Sequence, residues 1–173
     1  MPHVLEPATS GRAKCRGCAR PIAQGTLRFG ERIPNAFAEG ETTLWFHLPC
    51  AAWKRPEPLL AALETAPPEL PGRETLAAAA RATLAHRRLA RIDGAERAPS
   101  SQAKCRHCKQ PIEKGGWRIR LVYYEEGRFS PGGTLHLACR DAYLEGHDVR
   151  ERVLHFSAPE VRAELARDLD APV

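Results

Sequence analysis

The clearest pattern along the chain is an alternation of apolar and basic side chains in WRIRLVYY, from Trp117 to Tyr124. Apolar positions that alternate with charged ones indicate a strand with one buried face. The alternating positions are Trp117, Ile119 and Leu121 on one face and Arg118 and Arg120 on the other. The stretch TLRFGERI, from Thr26 to Ile33, is a second short, partly apolar segment. We therefore predict one such strand in each half of the chain.

Turn residues follow both predicted strands, around Pro34 to Gly40 and around Gly127 to Gly133. After each turn we expect a second strand that carries a histidine and a short helix that begins at the next cysteine. The first helix, CAAWKR, must stop before Pro56, and the second, CRDAYLEG, ends at Gly146. The predicted fold class is α+β, with two small antiparallel sheets, each followed by helices.

The segment between the two halves is predicted to be helical. Residues 56–72 are proline-rich with one short apolar helical piece, and residues 73–92 are rich in alanine and arginine. Leu76, Ala80, Leu84 and Ile92 recur at multiples of four and predict a helix with one apolar stripe. The other faces carry Arg81, Arg87, Arg88 and Arg91. A solvated face and a DNA-facing role both remain open for these arginines.

The breaker Asp93-Gly94 is expected to end that helix, so residues 93–101 are predicted to be a flexible linker. Near the C-terminus, Ser157 with Glu160 has the spacing of a capping box for a helix through Leu169, buried along Val161, Leu165 and Leu169. The expected domains are residues 1–92, with the helical segment, and residues 102–173, with the C-terminal helix.

A repeat of about 90 residues underlies these two halves. The stretch RAKCRGCARPI begins at Arg12, and the near copy QAKCRHCKQPI begins at Gln102. The first copy leads to WFHLPC and the second to TLHLAC, so each half reads Cys-x2-Cys, a long gap and His-x2-Cys. The gap between the second Cys and the His is 28 residues in one half and 27 in the other.

This spacing indicates two zinc sites. Three thiolates and one imidazole form a complete tetrahedral shell for Zn²⁺. The predicted ligands are Cys15, Cys18, His47 and Cys50 in the first set, and Cys105, Cys108, His136 and Cys139 in the second. Disulfides or buried reduced thiols are the alternatives, but neither explains why a His recurs at the same offset. The five other histidines have no matching partners, and we interpret them as surface or packing residues.

Size explains why metal is needed, because a finger of about 45 residues buries too little apolar surface to fold without a staple. Four protein ligands leave no open position for water or substrate, which argues against zinc catalysis. The sequence also shows no nucleotide-binding glycine loop and no pair of nucleophile and base. We therefore expect a binding protein and not an enzyme.

The net charge of the chain and the cellular compartment expected for it limit the kinds of partner that it can bind. The formal net charge is +5, and because each Zn²⁺ with three thiolates carries −1, the loaded protein is near +3 (5 − 2). Basic residues surround both Cys-x2-Cys turns, which suggests a phosphate-facing surface, although some of them could only offset the thiolates. Residues 1–10 contain no apolar run of signal-peptide length, and no segment approaches a membrane span. We expect the cytoplasm or nucleoid of a bacterium, or the nucleus of a eukaryote, and no membrane partner.

These motifs together carry a family resemblance. The lead SGRAKCRGC, the Leu27-Arg28 pair, the Trp45-Phe46-His47-x2-Cys50 motif and the following Trp53 resemble the zinc finger of poly(ADP-ribose) polymerases (PARP), also found in DNA ligase III and plant nick-sensing phosphatases. The resemblance covers residues 9–92, and more loosely residues 101–169, as a tandem pair without the polymerase's catalytic domain. It implies two structural zinc ions and recognition of DNA strand breaks or nicks by shape.

The resemblance also suggests which residues contact DNA. Arg12 and Arg28 match positions that contact the phosphate backbone, and the loop from Pro34 to Thr42 matches the base-stacking loop, with Phe37 as its platform. In the second finger Gln102 replaces Arg12 and Thr134-Leu135 replaces Trp45-Phe46, so we expect weaker DNA binding there. The full set of expected DNA contacts is Arg12, Lys14, Arg16, Arg28 and Phe37, then Lys104, Arg106, Arg118, Arg120 and Phe129.

The function expected from these features is a zinc-dependent DNA-binding protein that senses breaks or nicks and recruits repair proteins. Two alternatives belong to other classes: a protein-interaction adaptor whose zinc ions are only structural, and a zinc or redox enzyme.

Overall fold

A computed structural model describes residues 2–171 of the chain. The chain divides into two compact units, residues 1–85 and residues 86–173. Each unit contains one three-stranded antiparallel sheet whose strands are in sequence order. This arrangement confirms the predicted α+β class, with one small sheet and a set of helices in each half.

The first unit contains β1 (Val4–Pro7), β2 (Leu27–Pro34) and β3 (Glu41–His47), with β2 in the centre. Three helices follow: α1 (Leu48–Lys54), α2 (Pro56–Thr65) and α3 (Arg73–Ala85). The core of this unit contains Phe29 and Phe46 from the strands and Leu59 from the helices. It also contains Ile22, which follows the Cys-x2-Cys turn. Proline at the first position of α2 fits because that position needs no backbone N–H.

The second unit begins with a 3₁₀ helix, Arg87–Arg91, and continues with β4 (Ile92–Arg97), β5 (Trp117–Glu125) and β6 (Arg128–His136). A second 3₁₀ helix, Leu137–Cys139, precedes α4 (Arg140–Leu144) and α5 (Val149–Phe156). The 3₁₀ helix Pro159–Val161 and α6 (Arg162–Asp170) complete the unit. The alternation predicted for β5 is confirmed, because Trp117, Ile119 and Leu121 are buried whereas Arg118 and Arg120 are partly exposed.

The expected linker at residues 93–101 is wrong in its first half, because β4 occupies residues 92–97 and pairs with β5. The preceding helix stops at Ala85 instead of Ile92, and it buries Ala77, Ala80 and Thr83. The Asp93-Gly94 breaker does not end a helix. Gly94 is an irregularity inside the strand with φ of +90°, where a Cβ atom would lie 2.4 Å from the carbonyl oxygen of Phe156.

The predicted capping box is also wrong. Ser157 is the buried C-cap of α5, a helix that the sequence analysis did not identify, and Val161 is the N-cap of α6 without a side-chain cap. The Ser157 hydroxyl accepts a hydrogen bond from the Ala95 backbone N–H at 2.8 Å and donates one to the Val153 carbonyl at 2.6 Å. It therefore ties α5 to β4. The burial expected for Leu165 and Leu169 is confirmed, whereas Val161 is only partly buried.

Among residues 2–171, none of the helices combines the length and the apolar character that crossing a membrane requires.

Candidate metal centres and nucleic-acid interface

The first cluster joins a turn to the start of a helix. The backbone N–H of Ala19 donates to the Cys15 carbonyl at 2.8 Å, which closes the turn between Cys15 and Cys18. His47 caps α1, and Cys50 lies three residues later in its first turn. The His47 Nδ1 atom lies 3.4 Å from the Cys18 sulfur and 4.0 Å from the Cys50 sulfur. The four ligand atoms all lie within 4.8 Å of one another.

The second cluster repeats this arrangement. The backbone N–H of Lys109 donates to the Cys105 carbonyl at 3.0 Å, and His136 Nδ1 lies 3.3 Å from the Cys108 sulfur. The ligand atoms of Cys105, Cys108, His136 and Cys139 also lie within 4.8 Å of one another. The last ligand lies in a 3₁₀ helix here, not in an α-helix.

Hydrogen bonds fix the ring orientation of both histidines. His47 Nε2–H donates to the Pro21 carbonyl at 3.2 Å, and His136 Nε2–H donates to the Pro111 carbonyl at 3.1 Å. Because Nε2 carries the proton, Nδ1 presents its lone pair to the thiols, as a metal-binding imidazole requires. The backbone N–H of each histidine also donates to a cysteine sulfur, at 3.3 Å to Cys15 and 3.5 Å to Cys105.

The thiols of one cluster compete for ionisation. Burial opposes ionisation of Cys105, but backbone N–H donors outweigh it and lower its pKa to about 6. Burial and then the thiols of Cys105 and Cys108 raise the pKa of Cys139 to about 12. In the first cluster, hydrogen bonds to Cys15 and then Cys50 lower the pKa of Cys18. Three thiolates can therefore coexist only around a cation.

Zinc fits both clusters. A tetrahedral ion with bonds of about 2.3 Å to sulfur and about 2.0 Å to nitrogen separates the two ligand atoms by about 3.6 Å. The observed distances of 3.3 to 4.0 Å between Nδ1 and sulfur match that geometry. All six cysteines are free thiols, so the disulfide alternative is wrong. The predicted cofactor, two zinc ions held by two Cys3His sets, is confirmed.

The two sites differ in their exposure. In the first cluster Cys15 and Cys50 are buried, and Cys18 is partly exposed. In the second cluster only Cys105 is buried, Cys139 is partly exposed and Cys108 is exposed.

A row of three residues crosses each sheet and ends at the zinc-binding histidine. In the first unit Glu6, Arg28 and His47 are paired across β1, β2 and β3. The Arg28 guanidinium donates to Glu6 Oε1 at 2.7 Å and lies 3.5 Å over the Trp45 ring. In the second unit the same row is formed by Glu96, Arg118 and His136. Its arginine donates to Glu96 Oε1 from Nη2 at 2.6 Å and from Nε at 3.0 Å.

The two glutamates of these rows were not predicted as functional residues, although the sequence contains a signal for them. Glu6 precedes Cys15 by nine residues, and Glu96 precedes Cys105 by nine residues. The repeat therefore begins earlier than Arg12 and Gln102 and includes β1 and β4.

Several expected DNA contacts of the first unit lie on its surface. Arg12, Lys14 and Arg16 are exposed, and none of them lies within 4.0 Å of a carboxylate among the described residues. Phe37 is 86% exposed at the tip of the β2–β3 hairpin, so its ring does not fold back over the core. Arg28 differs from these residues, because it is only 5% exposed and is ion-paired within the sheet.

In the second unit the expected contacts are less available. Lys104 and Arg106 are exposed, and the Arg106 Nε atom donates to the Gly132 carbonyl at 3.2 Å. Arg118 and Arg120 are partly exposed and share Glu96 as an ion-pair partner. Phe129 packs against Tyr124 with ring centroids 5.0 Å apart and is only partly exposed.

Comparison with known proteins identifies a zinc-finger family, in agreement with the Cys3His clusters of the structure. The family described as "Poly(ADP-ribose) polymerase and DNA-Ligase Zn-finger region" matches residues 6–87. Residues 6–87 belong to the PARP-type zinc-finger family. The match begins at the glutamate of the first row and includes all four ligands of the first PARP-type cluster.

Similarity to full-length proteins extends beyond the first PARP-type finger. The chain is 32% identical over 160 residues to "Poly [ADP-ribose] polymerase" of Drosophila melanogaster, which covers 80% of this chain and 16% of that protein. It is 28% identical over 145 residues to "Poly [ADP-ribose] polymerase 1" of Gallus gallus, which covers 72% of this chain and 14% of that protein. The chain thus spans a small part of these relatives, and the family match is to a zinc-finger region, not a catalytic domain.

Proposed function

We propose that this chain binds DNA at strand breaks or nicks and serves as a damage sensor or repair accessory. The family match, whose description includes the zinc-finger region of a DNA ligase, supports a role on DNA, and the two zinc clusters provide rigid supports. With DNA as its ligand, the protein is proposed to act at the nucleoid of a bacterium or in the nucleus of a eukaryote.

The observation that carries the proposal is the position of Phe37. The loop from Asn35 to Gly40 presents this ring to solvent, and the Asn35 side chain accepts a hydrogen bond from the Phe37 backbone N–H at 3.0 Å. The backbone N–H of Asn35 donates to the Gly40 carbonyl at 3.0 Å, which closes the loop. A break exposes the face of a terminal base, and stacking an aromatic ring on a base contributes about 1–3 kcal/mol.

The cations near the first cluster supply the second part of the interface. Arg12, Lys14 and Arg16 are exposed and have no carboxylate partner within 4.0 Å among residues 2–171, so their charge is available to phosphates. Arg28 contributes indirectly in this proposal, because it braces β2, the strand that leads into the Phe37 loop.

The second unit is proposed to be a weaker reader of broken ends. Its hairpin turns tightly at Glu126 and Gly127, and the Phe129 ring is engaged with Tyr124. Lys104 and Arg106 remain as exposed cations beside the second cluster. This surface can hold phosphates, but the two aromatic rings beside its tip, Tyr124 and Phe129, contact each other.

The test is a titration of labelled nicked, blunt and intact duplexes with zinc-loaded protein at two salt concentrations. We expect tighter binding to the nicked duplex than to the intact one. Phe37→Ala should remove that preference and leave the salt-dependent binding to intact duplex, because only stacking needs an exposed base face. Phe37→Trp, which keeps an aromatic ring, is the matched control and should retain the preference.

Two results would contradict the proposal. Equal affinity of the wild-type protein for all three duplexes would leave the Phe37 loop without a role in DNA recognition. Absence of DNA binding at low salt would favour the adaptor alternative, in which the zinc ions only support a surface for protein partners.

A further inference from the structure

The arginines of the second unit fall into two groups. One group is neutralised within the fold by carboxylates at 4.0 Å or less: Arg97, Arg118, Arg120, Arg140, Arg150 and Arg152. The 3₁₀ helix Arg87–Arg91 carries three arginines of the other group. None of these three lies within 4.0 Å of a carboxylate in the described part of the chain, residues 2–171.

Two of the three are held in place by aromatic rings. The Arg88 guanidinium carbon lies 4.4 Å from the centroid of the Tyr143 ring, and its Nη1 donates to the Tyr143 carbonyl at 2.9 Å. The Arg91 guanidinium carbon lies 4.5 Å from the centroid of the Tyr123 ring. An aromatic ring orients a guanidinium without neutralising its charge. Arg87 is exposed beside them.

The backbone supports a common surface. Leu89 is buried at 2% exposure between these arginines and anchors the 3₁₀ helix to the second unit. Residues three apart in a 3₁₀ helix lie on the same side, about 6 Å apart along its axis, which describes Arg88 and Arg91. A fixed group of unneutralised guanidinium groups is suited to bidentate recognition of phosphate.

We propose that Arg87, Arg88 and Arg91 form a phosphate-binding surface that contacts the backbone of duplex DNA, intact or broken. This inference depends on the proposed function in one respect, because it takes DNA as the ligand. The surface belongs to the second unit and includes neither Phe37 nor the cations of the Cys-x2-Cys turns. It accordingly supplies affinity without regard to sequence or to a break.

The experiment compares two triple variants with the same loss of charge. The first is Arg87→Gln, Arg88→Gln and Arg91→Gln. The second is Lys114→Gln, Arg128→Gln and Arg167→Gln, which removes three exposed cations elsewhere in the same unit that have no carboxylate partner in the part of the chain that the structure describes. Fluorescence anisotropy with labelled intact and nicked duplexes over a salt series gives the affinity and the slope of log K against log salt.

We expect the first triple variant to bind both duplexes at least about tenfold more weakly. Its salt slope should fall by about 2 to 3, because each phosphate contact contributes about 0.9. The control should change the slope by less than about 1. In the first triple variant, the ratio of the affinity for nicked duplex to the affinity for intact duplex should stay at the wild-type value. A change of that ratio in Phe37→Ala tests only the proposed function.

An equal effect of both triple variants would overturn the proposal, since it would show that only net charge matters. An unchanged slope in the first variant would also overturn it. If polyglutamate displaced the labelled duplex from the protein as effectively as unlabelled DNA does, the surface would be assigned to an acidic protein instead. Arg87→Gln alone, at an exposed position, should lower the slope by about 1 even if the triple variant proves unstable.

Discussion

At the scale of single residues, both Cys-x2-Cys turns adopt a backbone conformation that side chains disfavour. Ala19 has φ of +59° and Lys109 has φ of +66°, each directly after the second cysteine of its turn. A left-handed conformation costs a residue with a Cβ atom about 1–2 kcal/mol. The turns keep it because each closes with a hydrogen bond back to the first cysteine.

Ala19→Gly should therefore stabilise the zinc-loaded first unit by about 0.5–1 kcal/mol, after allowance for the greater freedom of glycine in the unfolded chain. Gly17→Ala, two residues away, is the contrasting variant. A Cβ atom there would lie 2.9 Å from the Cβ of Cys50, so we expect a loss of stability. Thermal unfolding in the presence of zinc measures both, and a lower melting temperature for Ala19→Gly would contradict the argument.

A second residue makes stability depend on pH. His3 Nδ1 accepts the backbone N–H of Arg32 at 3.2 Å, and burial lowers the His3 pKa below its usual 6.5. The unfolded chain therefore binds a proton more readily than the folded one, so this contribution is complete above about pH 6.5 and is lost as pH falls. Wild type should lose more stability than His3→Gln between pH 7 and 5. Equal losses in urea titrations would refute the role of His3, since the zinc ligands titrate in both proteins.

At the scale of elements, the Glu–Arg–His rows show how the central strand supports each metal centre. Arg28 is buried between Glu6 and Trp45, and its neighbour across the strands is His47. Arg118 makes the same connection but is more exposed, and its partner Glu96 also pairs with Arg120. The first row is thus the more buried and less redundant of the two.

Arg28→Ala should lower the free energy of unfolding of the first unit by about 2–3 kcal/mol, because it removes the hydrogen bond of a buried guanidinium to the partly exposed Glu6 and leaves a gap beside Trp45. Arg118→Ala should cost less. Chemical denaturation with zinc present, followed for each unit by the nearby tryptophan, gives both values. If Arg28→Ala kept full stability but lost DNA binding, Arg28 would instead be a direct phosphate contact.

The same elements show which parts of the fold and of the metal centres could be predicted from the sequence. The central strands, the helix after the first cluster and all eight ligands followed from alternation and spacing, which are local properties. The first strands did not: β1 has only four residues, and β4 contains a Gly94 that reads as a breaker. Their pairing depends on distant partners such as Ser157 and Arg118, and the burial of Arg28 likewise depends on a glutamate 22 residues away.

At the scale of the whole molecule, each unit has its own sheet, core and metal centre. Structural zinc contributes about 10–16 kcal/mol in small fingers, so each unit should require its own ion to fold. The difference in thiol exposure between the clusters implies that the two ions leave at different rates.

We expect elemental analysis to give two zinc ions per chain and a metallochromic chelator to remove them in two phases, the second cluster first. Cys108 is exposed and Cys139 partly exposed, whereas Cys15 and Cys50 are buried. Cys105→Ser should abolish the fast phase, and Cys15→Ser the slow one. A single phase, or a fast phase that persists in Cys105→Ser, would contradict the assignment.

The two hairpins have nearly equal numbers of residues but differ in how many of them form the loop between the paired strands. In the first, residues 35–40 separate the paired strands at the tip, whereas in the second the tip consists of Glu126 and Gly127 alone. Backbone amides outside a ladder exchange with deuterium far faster than those within it. Isotope labelling should therefore find a rapidly exchanging tip around Phe37 and a protected one at Glu125 and Arg128, the pair that flanks the two-residue turn. The first hairpin can reshape its tip around a partner without breaking its sheet, and the second cannot.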